Sequence, residues 1–295
     1  VTVLTRSPED FLSRYPELQG WAEVSFHAGD ILCPESFPKG QSFSHILHAA
    51  TDSTLGPKHS PLKRYIQIVD GTRNMLDYGV ACGARRFLLT SSGGVYGPQP
   101  PDMDKIPESY NGMPDPLNPE NAYSVAKRAA EHLCSLYHAE YGIETVVARC
   151  FAFVGRDLPL DVHFAIGNFI RDALWGKEII VGGDGTPVRS YLDQRDLAVW
   201  LNAMLESGHP GYAYNLGSDE AITIANLAML VRDIVDENKP VRILGCGSGG
   251  NLKNRYIPNI DRAKNELGLS VTIGLESAIR EVVRYKLNNR KAASI

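Results

Sequence analysis

A tyrosine and a lysine spaced four residues apart, Tyr123 and Lys127, carry the clearest chemical signal in this sequence. On a helix, residues at positions i and i+4 share one face, so the lysine ammonium would lie beside the phenol. Tyrosine has a reference pKa of about 10, and a nearby cation favours its phenolate form. A phenol with a lowered pKa can accept a proton from a hydroxyl group while hydride leaves the same carbon. The pair therefore indicates nicotinamide-dependent chemistry at a carbinol or ketone carbon.

Ser92 lies upstream, where a third catalytic group would be expected. It ends the segment Thr90-Ser91-Ser92, which continues the predicted strand at residues 86–89. Open α/β sheets bind ligands at the carboxyl ends of their strands, so a hydroxyl there could hold the oxygen that Tyr123 deprotonates. A Y-x-x-x-K spacing and a serine-glycine turn are each common by chance. The order of strand, serine, loop and Y-x-x-x-K helix is much more specific than either part.

The elements that must position these residues alternate between short apolar segments and amphipathic segments. The pattern predicts helices at residues 8–15, 62–78 and 122–141, a long loop at residues 98–119, and strands at residues 1–4, 24–27, 44–49, 86–89 and 144–149. Buried parallel strands read as nearly continuous apolar runs, with helices covering both faces of the sheet. This part of the chain therefore predicts an α/β fold with a Rossmann-like, doubly wound parallel sheet.

After about residue 150 the pattern changes to helices mixed with shorter strands. Helices are predicted at residues 166–175, 193–205, 223–236 and 275–287, and strands at residues 179–181, 189–192 and 212–216. This arrangement predicts a smaller α/β lobe packed on the first domain. We therefore divide the chain into a Rossmann-like domain at residues 1–155 and a second lobe at residues 156–295, which we expect to be interleaved with the first.

The composition excludes several classes of protein. The chain of 295 residues has a net charge of -4, unlike the strongly basic footprint of a nucleic-acid-binding protein. Its five cysteines include no C-x-x-C and its eight histidines show no metal-ligand spacing, so we expect free thiols, a reducing cytoplasm and no metal site. We find no signal peptide and no apolar run as long as a membrane span. We therefore expect a cytoplasmic protein with no nucleic-acid or membrane partner.

These motifs resemble those of the extended short-chain dehydrogenase/reductase family, in the branch of nucleotide-sugar epimerases and dehydratases, over nearly the whole chain. The resemblance implies that Ser92, Tyr123 and Lys127 are the catalytic triad. It implies contacts with an NAD(P) cofactor from Asp30, Ile31, His48, Ala49 and Ala50, and also from Tyr123 and Lys127. It implies contacts with a nucleotide-diphosphate sugar from Ser92, Gly93, Tyr96, Arg189 and Arg255. It also implies that residues 156–295 bind the substrate and that the helices at 62–78 and 122–141 form a homodimer interface.

An arginine suits a diphosphate because its planar fork can bind two oxygen atoms at once. The alternative for Arg189 or Arg255 is a surface ion pair of little energetic value. Arg6, which follows the first predicted strand, could accept the 2′-phosphate of NADP in place of the acidic residue that usually binds the ribose of NAD. The cofactor is therefore NAD or NADP, and Arg6 favours NADP.

Two departures from the family limit the chemistry. Gly93 and Gly94 stand where 4,6-dehydratases carry Asp-Glu, and the corresponding glutamate of decarboxylases is missing too. Glycine cannot transfer a proton, so the elimination mechanism is in doubt, whereas epimerases and 4-ketoreductases do not need this pair. Ile68 stands where the family typically has a helix-start asparagine, and Ala152 stands where it has the asparagine of the substrate lobe.

The family's first strand and its G-x-x-G-x-x-G turn do not occur in this sequence. By the usual size of a βα unit, roughly 25–30 residues of the family pattern are missing before Val1. A protein that also lacks them should bind the cofactor poorly, because that turn holds the cofactor pyrophosphate. The segment Gly245-x-Gly247-x-x-Gly250 fits a dinucleotide-binding motif, but no amphipathic helix follows it. We interpret it as a flexible loop that could cover the substrate.

The sequence leaves four functions to be compared. The first hypothesis is a nucleotide-sugar epimerase, which would consume no coenzyme. The second is a nucleotide-4-keto-sugar reductase that would consume NADPH, and the third is a sugar-nucleotide dehydratase. The alternative from another class is a non-catalytic binding or scaffold protein. Neither the sugar nor the nucleotide base can be derived from these residues.

Overall fold

The structure, a computed structural model, describes residues 1–51, 59–245 and 254–292, with side chains through residue 289. Its helices are α1 Pro8–Arg14, α2 Pro61–Ala81, α3 Ala122–Tyr141, α4 Ala165–Trp175, α5 Gln194–Ser207, α6 Ile224–Val235, α7 Asp261–Leu267 and α8 Leu275–Ala292. Its strands are β1 Thr2–Thr5, β2 Ser25–Ala28, β3 His45–His48, β4 Arg86–Ser92, β5 Glu144–Cys150, β6 Phe153–Val154, β7 Ile179–Val181, β8 Val188–Arg189, β9 Leu192–Asp193, β10 Ala213–Leu216, β11 Ile222–Thr223, β12 Val241–Ile243 and β13 Arg255–Tyr256. The α/β fold class is confirmed.

Local sequence explains where the helices next to the site begin and end. Ser60 caps α2 by accepting a hydrogen bond from the backbone of Lys63 at 3.3 Å, and Pro61 occupies the first turn, where its missing N–H costs nothing. Helix α3 ends at Gly142, whose φ of 73° lies in the left-handed region that favours glycine. These signals confine α2 and α3 to the segments before and after β4 in the chain.

The main sheet is parallel and has the strand order β10-β5-β4-β3. Strands β1 and β2 form a second parallel pair, and no hydrogen-bonded pairing joins β1 to β3 within the residues that the structure describes. The register of β4 and β5 places Ser92 opposite Cys150 at the carboxyl end of the sheet. Ser92, the last residue of β4, therefore lies at this edge of the sheet.

Both faces of the main sheet are covered, as the sequence predicts. Phe87 and Leu89 of β4 face a buried cluster with residues of α2 and α3, whereas Leu88 faces a second cluster with Trp200 and Met204 of α5. This alternation follows the period of two in a strand. Helix α5 and strand β10 come from the second half of the chain but complete the first sheet.

A separate cluster fills the smaller lobe. Helices α4, α6 and α8 pack around β7 and β12 through buried residues that include Phe169, Ile179, Leu227 and Ile279. The single strand predicted at residues 189–192 is wrong. Two short strands form there instead: β8 pairs with β11 and β13, while β9 pairs with β6.

Two further sequence predictions concern the glycine-rich segment near residue 245 and membrane-spanning helices. The Gly245-x-Gly247-x-x-Gly250 segment lies outside the described residues except for Gly245. In the part of the chain that is described, no helix combines the length and the apolar character needed to cross a bilayer.

Candidate active site

Strand β4 and the turn that follows it fix the side chain of Ser92. Ser92 is the last residue of β4 and caps a short 3-10 turn over Gly93–Tyr96. Its hydroxyl accepts a hydrogen bond from the backbone N–H of Gly94 at 3.1 Å. The serine is thus held at the carboxyl end of the sheet, where open α/β sheets bind ligands.

Helix α3 places Tyr123 in its first turn, within hydrogen-bonding reach of Ser92. Burial raises the pKa of the Tyr123 phenol above its ordinary value, while the contact with Ser92 and the charge of Arg64 act to lower it. The Arg64 guanidinium carbon lies 4.2 Å from the centroid of the Tyr123 ring. The structure therefore brings Ser92 and Tyr123 together and adds a cation that the sequence analysis did not single out.

Lys127 lies one helical turn after Tyr123 and is almost fully buried. Its Nζ donates to Thr51 Oγ1 at 2.9 Å and to the Thr90 carbonyl at 2.7 Å, and it lies 6.0 Å from the centroid of the Tyr123 ring. Burial lowers the pKa of Lys127 to about 8, which leaves the ammonium mostly charged at neutral pH. The lysine therefore ties α3 to the carboxyl ends of β3 and β4.

The positions of Gly93 and Gly94 have no room for larger side chains. A Cβ atom on Gly93 would lie 2.6 Å from Tyr256 Oη and 2.7 Å from Phe151 Cζ. A Cβ atom on Gly94 would lie 2.6 Å from Ser124 Oγ. Real Cβ atoms do not approach other atoms this closely, so a carboxylate at either position would require its neighbours to move.

Below the site, Tyr96 belongs to a buried polar network. Its hydroxyl donates to Asn215 Oδ1 at 2.8 Å and accepts from Arg149 Nη1 at 2.9 Å. Arg149 also pairs with Glu131 of α3 at 2.8 Å. Tyr96 is only 1% exposed, so the structure places it beneath the site; its contact with a substrate stays a prediction.

A cavity of about 620 Å³ opens at the carboxyl ends of β1, β2 and β3. Among its lining residues are five of the predicted cofactor contacts, namely Arg6, Asp30, Ile31, Ala49 and Ala50. Thr51 lines the same cavity and accepts the hydrogen bond from Lys127, so the cavity reaches the predicted catalytic lysine. Its position at the carboxyl ends of parallel strands suits a dinucleotide.

His48, a further predicted cofactor contact, is not among the residues that line this cavity. Its ring is buried and shares a hydrogen bond of 3.3 Å with Thr72 Oγ1 of α2. Burial, together with the charge of Lys127, lowers the pKa of His48 to about 3, so the ring is neutral. His48 thus anchors α2 to β3, and its contact with a cofactor stays a prediction.

The two predicted diphosphate-binding arginines lie on opposite faces of one small ribbon. Arg189 is paired in register with Tyr256, whereas Arg255 is paired with Val188, and neighbouring residues of a strand point to opposite sides. Arg189 donates from Nη1 to the carbonyls of Val188 and Asn254, both at 2.9 Å. Arg255 donates to the Asp104 carbonyl at 3.2 Å. Arg189 therefore shares its face with Tyr256, and Arg255 does not.

Comparison with known proteins identifies the family. The sequence model described as the NAD dependent epimerase/dehydratase family matches residues 1–217. The chain belongs to this family. UDP-glucuronic acid decarboxylase 1 from Arabidopsis thaliana is 32% identical over 226 residues, which cover 77% of this chain and 51% of that relative. The matched chain thus spans about half the length of this relative.

Solved structures show the same fold for this member of the family. DesIV from Streptomyces venezuelae, a dTDP-glucose 4,6-dehydratase with NAD bound, has a TM-score of 0.83 at 23% identity, covering 99% of this chain and 88% of that chain. UDP-glucose 4-epimerase from Thermotoga maritima, with UDP-glucose, has a TM-score of 0.81 at 22% identity, covering 98% and 91%. The family resemblance predicted from the sequence is confirmed.

Four residues of the site in this epimerase/dehydratase family member were missed by sequence reasoning. Arg14, Thr51 and Gln67 line the cavity, and Arg64 stacks on Tyr123. Thr51 follows His48-Ala49-Ala50 directly, so its position could have been inferred from that motif. The other three are polar residues on helices with no distinguishing spacing. Within the described residues, no group of three or more His, Cys, Asp or Glu side chains could hold a metal ion.

Proposed function

We propose that this chain forms the catalytic unit of a nucleotide-sugar epimerase that uses NAD or NADP and works by reversible hydride transfer at a carbinol carbon. The nicotinamide supplies the acceptor and donor of hydride. Tyr123 accepts the proton of the sugar hydroxyl and later returns it. Ser92 holds the same oxygen by a hydrogen bond, and Lys127 provides positive charge beside the cavity.

The observation that carries the proposal is the closed space at Gly93 and Gly94. Elimination of water needs an acid and a base beside the sugar in addition to Tyr123. Tyr256, Phe151 and Ser124 occupy the space that side chains at these two positions would need. A site of this kind supports oxidation and return of hydride, and it favours epimerisation over dehydration.

For the cofactor we propose a preference for NADP. Arg6 and Arg14 line the same cavity beyond the end of β1. Two guanidinium groups suit the 2′-phosphate of NADP, since each can bind two phosphate oxygens. Asp30 and Ile31 lie at the same end of the cavity, where the adenine would bind. The NADP preference also supports a second candidate function, a 4-keto-sugar reductase that consumes NADPH.

For the substrate we propose a nucleotide-diphosphate sugar that lies between Tyr123 and the smaller lobe. Arg189 is half-buried, and among the described residues no carboxylate lies within ion-pairing distance of it. Burial lowers the pKa of Arg189 yet leaves it charged, so an anionic diphosphate would offset the cost of desolvating its guanidinium.

We also propose a homodimer formed by α2 and α3 in the cytoplasm. The two helices pack side by side, and they expose the apolar residues Leu62, Ile66, Leu136 and Tyr141. Light scattering of the purified protein measures the oligomeric state. A monomer at micromolar concentration would contradict this part of the proposal.

The activity test uses protein whose amino terminus has been verified by mass spectrometry. It is incubated with NAD or NADP and a panel of UDP-linked and dTDP-linked hexoses and hexuronates, and the products are separated by chromatography. An epimerase gives an epimer with no net change in absorbance of the reduced coenzyme. Net loss of NADPH with a 4-keto sugar identifies the reductase. A 6-deoxy-4-keto product would contradict the proposal. If the protein binds no nicotinamide coenzyme, the enzyme proposal fails and the non-catalytic binding or scaffold protein is favoured.

A further inference from the structure

Glu131 of α3 holds the ends of two strands with one carboxylate. It accepts a hydrogen bond from the Ser91 hydroxyl of β4 at 2.5 Å, and its two oxygens lie 2.8–3.2 Å from Nε and Nη2 of Arg149 in β5. Ser91 and Arg149 are register partners. Ser91 is 3% exposed and the Glu131 side chain 12%. The carboxylate is therefore largely shielded from water, and hydrogen bonds to a charged group are strong in such a place.

This contact lies directly beside the end of β4. Glu131 comes one helical turn after Lys127, so the two side chains share one face of α3. Lys127 donates to the Thr90 carbonyl at 2.7 Å, and Glu131 binds Ser91. Successive turns of α3 therefore bind successive residues of β4, and the next residue of the strand is Ser92.

The turn that follows Ser92 is bound to the same helix. Arg128 donates from Nη1 to the Val95 carbonyl at 3.1 Å and to the Gly112 carbonyl at 2.9 Å. Helix α3 carries Tyr123 in its first turn and thus holds the chain on both sides of the serine. The relative position of the serine and the tyrosine consequently depends on how α3 is fixed to the end of β4.

We propose that Glu131 is a positioning residue that sets the Ser92 hydroxyl against the Tyr123 phenol. It fixes the end of β4 to α3 through Ser91, and the end of β5 through Arg149. A displacement of about 1 Å in a catalytic group can cost about 100-fold in rate. This inference rests on the proposed roles of Ser92 and Tyr123, and Glu131 acts through the strand ends instead of on the reacting atoms.

The charge of Glu131 also acts on Lys127, and this effect has a different signature. Burial lowers the pKa of Lys127 to about 8, and the Glu131 carboxylate acts to raise it. Loss of the carboxylate would therefore change the charged fraction of Lys127 only near that pH. A displaced serine slows the reaction at every pH, so the pH profile of kcat separates the two effects.

The test compares Glu131→Gln with a matched variant at the amino ends of the same two strands. Arg86 of β4 and Glu144 of β5 are also register partners, and they pair at 2.9 Å with Arg86 buried. Glu144→Gln removes this carboxylate six residues away from Ser92 along β4. An amide has one oxygen, so Glu131→Gln must give up either the serine or the arginine. Ser91→Ala removes the serine contact alone and leaves the ion pair in place.

Hydrogen exchange of the Gly94 amide, which donates to Ser92 at 3.1 Å, follows the position of the serine without any substrate. It is measured relative to the slowest amides of the sheet, which report global unfolding. Relative exchange should be about tenfold faster in Glu131→Gln and Ser91→Ala, the equivalent of one hydrogen bond to a charged group, and unchanged in Glu144→Gln. In the same two variants kcat per folded molecule should fall about tenfold or more at every pH. Glu144→Gln should keep the wild-type kcat.

Equal relative exchange of Gly94 in Glu131→Gln and Glu144→Gln would overturn the proposal. An unchanged kcat, or a loss of kcat confined to the region near pH 8, would do the same. If Glu131→Gln does not fold, Ser91→Ala decides on both measurements. A wild-type protein that turns over no nucleotide sugar contradicts the proposed function, whereas the exchange comparison still decides whether Glu131 positions Ser92.

Discussion

Replacing Arg64 by methionine should weaken Tyr123, the proposed catalytic base, while leaving Ser92 in place. The guanidinium carbon lies 4.2 Å from the Tyr123 ring centroid, and its charge acts to lower the pKa of that phenol. Two unit charges at 4 Å interact by about 1 kcal/mol when water screens them fully. Because Arg64 is partly exposed, we take this lower value, which corresponds to about 0.7 pH unit and about fivefold in the phenolate fraction.

The expected result has a definite sign. Removing the cation raises the pKa of Tyr123. At pH values below that pKa, kcat of the Arg64→Met variant should therefore be about fivefold lower than that of the wild type, and it should recover at higher pH. The assay is the pH profile of kcat with the sugar nucleotide found to be turned over. Lys63→Met, which removes an exposed charge one residue earlier on α2, is the matched control and should leave the profile unchanged. A uniform loss of kcat at every pH would refute the electrostatic role.

Three further predictions concern buried charge and the cofactor. Since burial lowers the pKa of folded Lys127 to about 8, the unfolded state binds more protons above that pH. The wild type should therefore gain up to about 3 kcal/mol of stability between pH 8 and 10.5 in urea titrations, and Lys127→Met should lack this gain. Arg6→Ser and Arg14→Ser should each weaken NADPH binding about tenfold in calorimetry, with little change for NADH, if each loses one charge-assisted hydrogen bond. Glu131→Gln should destabilise the fold by about 3 kcal/mol in urea unfolding, because it leaves the Arg149 charge buried without its carboxylate.

The order of elements and the core of the site could be predicted because both depend on local patterns. The apolar run 87–89 and the helix period around residues 122–141 place Ser92 and Tyr123 at one end of the sheet. Parallel topology brings them together without any knowledge of the loops between them. The cavity residues Asp30, Ala49 and Ala50 were predicted from the family resemblance, and each also comes shortly after a strand.

What could not be predicted depends on long side chains and on tertiary position. Arg64 reaches Tyr123 from α2, and nothing in its spacing separates it from an ordinary exposed arginine. The opposite directions of Arg189 and Arg255 depend on the register of β8 and β13, two strands of two residues each. The prediction of one strand at residues 189–192 was wrong for the same reason. Within four residues the chain passes from β8, which pairs with β13, to β9, which pairs with β6.

The glycine pair after Ser92 shows how the structure sharpens a sequence argument. In the sequence, Gly93 and Gly94 indicate only that two carboxylates are missing. In the structure, the two positions differ: Gly94 is limited mainly by Ser124 Oγ, whereas Gly93 is enclosed by Tyr256 Oη and by the ring of Phe151. A hydroxyl can be removed or rotated, but a packed aromatic ring cannot easily move.

Alanine substitutions separate these two situations. Gly94→Ala in a Ser124→Ala background should cost less than about 1 kcal/mol in urea unfolding, because Ser124 Cβ is an ordinary 3.5 Å away. Gly93→Ala should cost about 1–3 kcal/mol, and Tyr256→Phe should relieve only part of it, since the Phe151 contact remains. Equal costs at the two positions would contradict this argument. If the costs differ as expected, grafting Asp-Glu after Ser92 cannot create a dehydratase until Phe151 and Tyr256 are also changed.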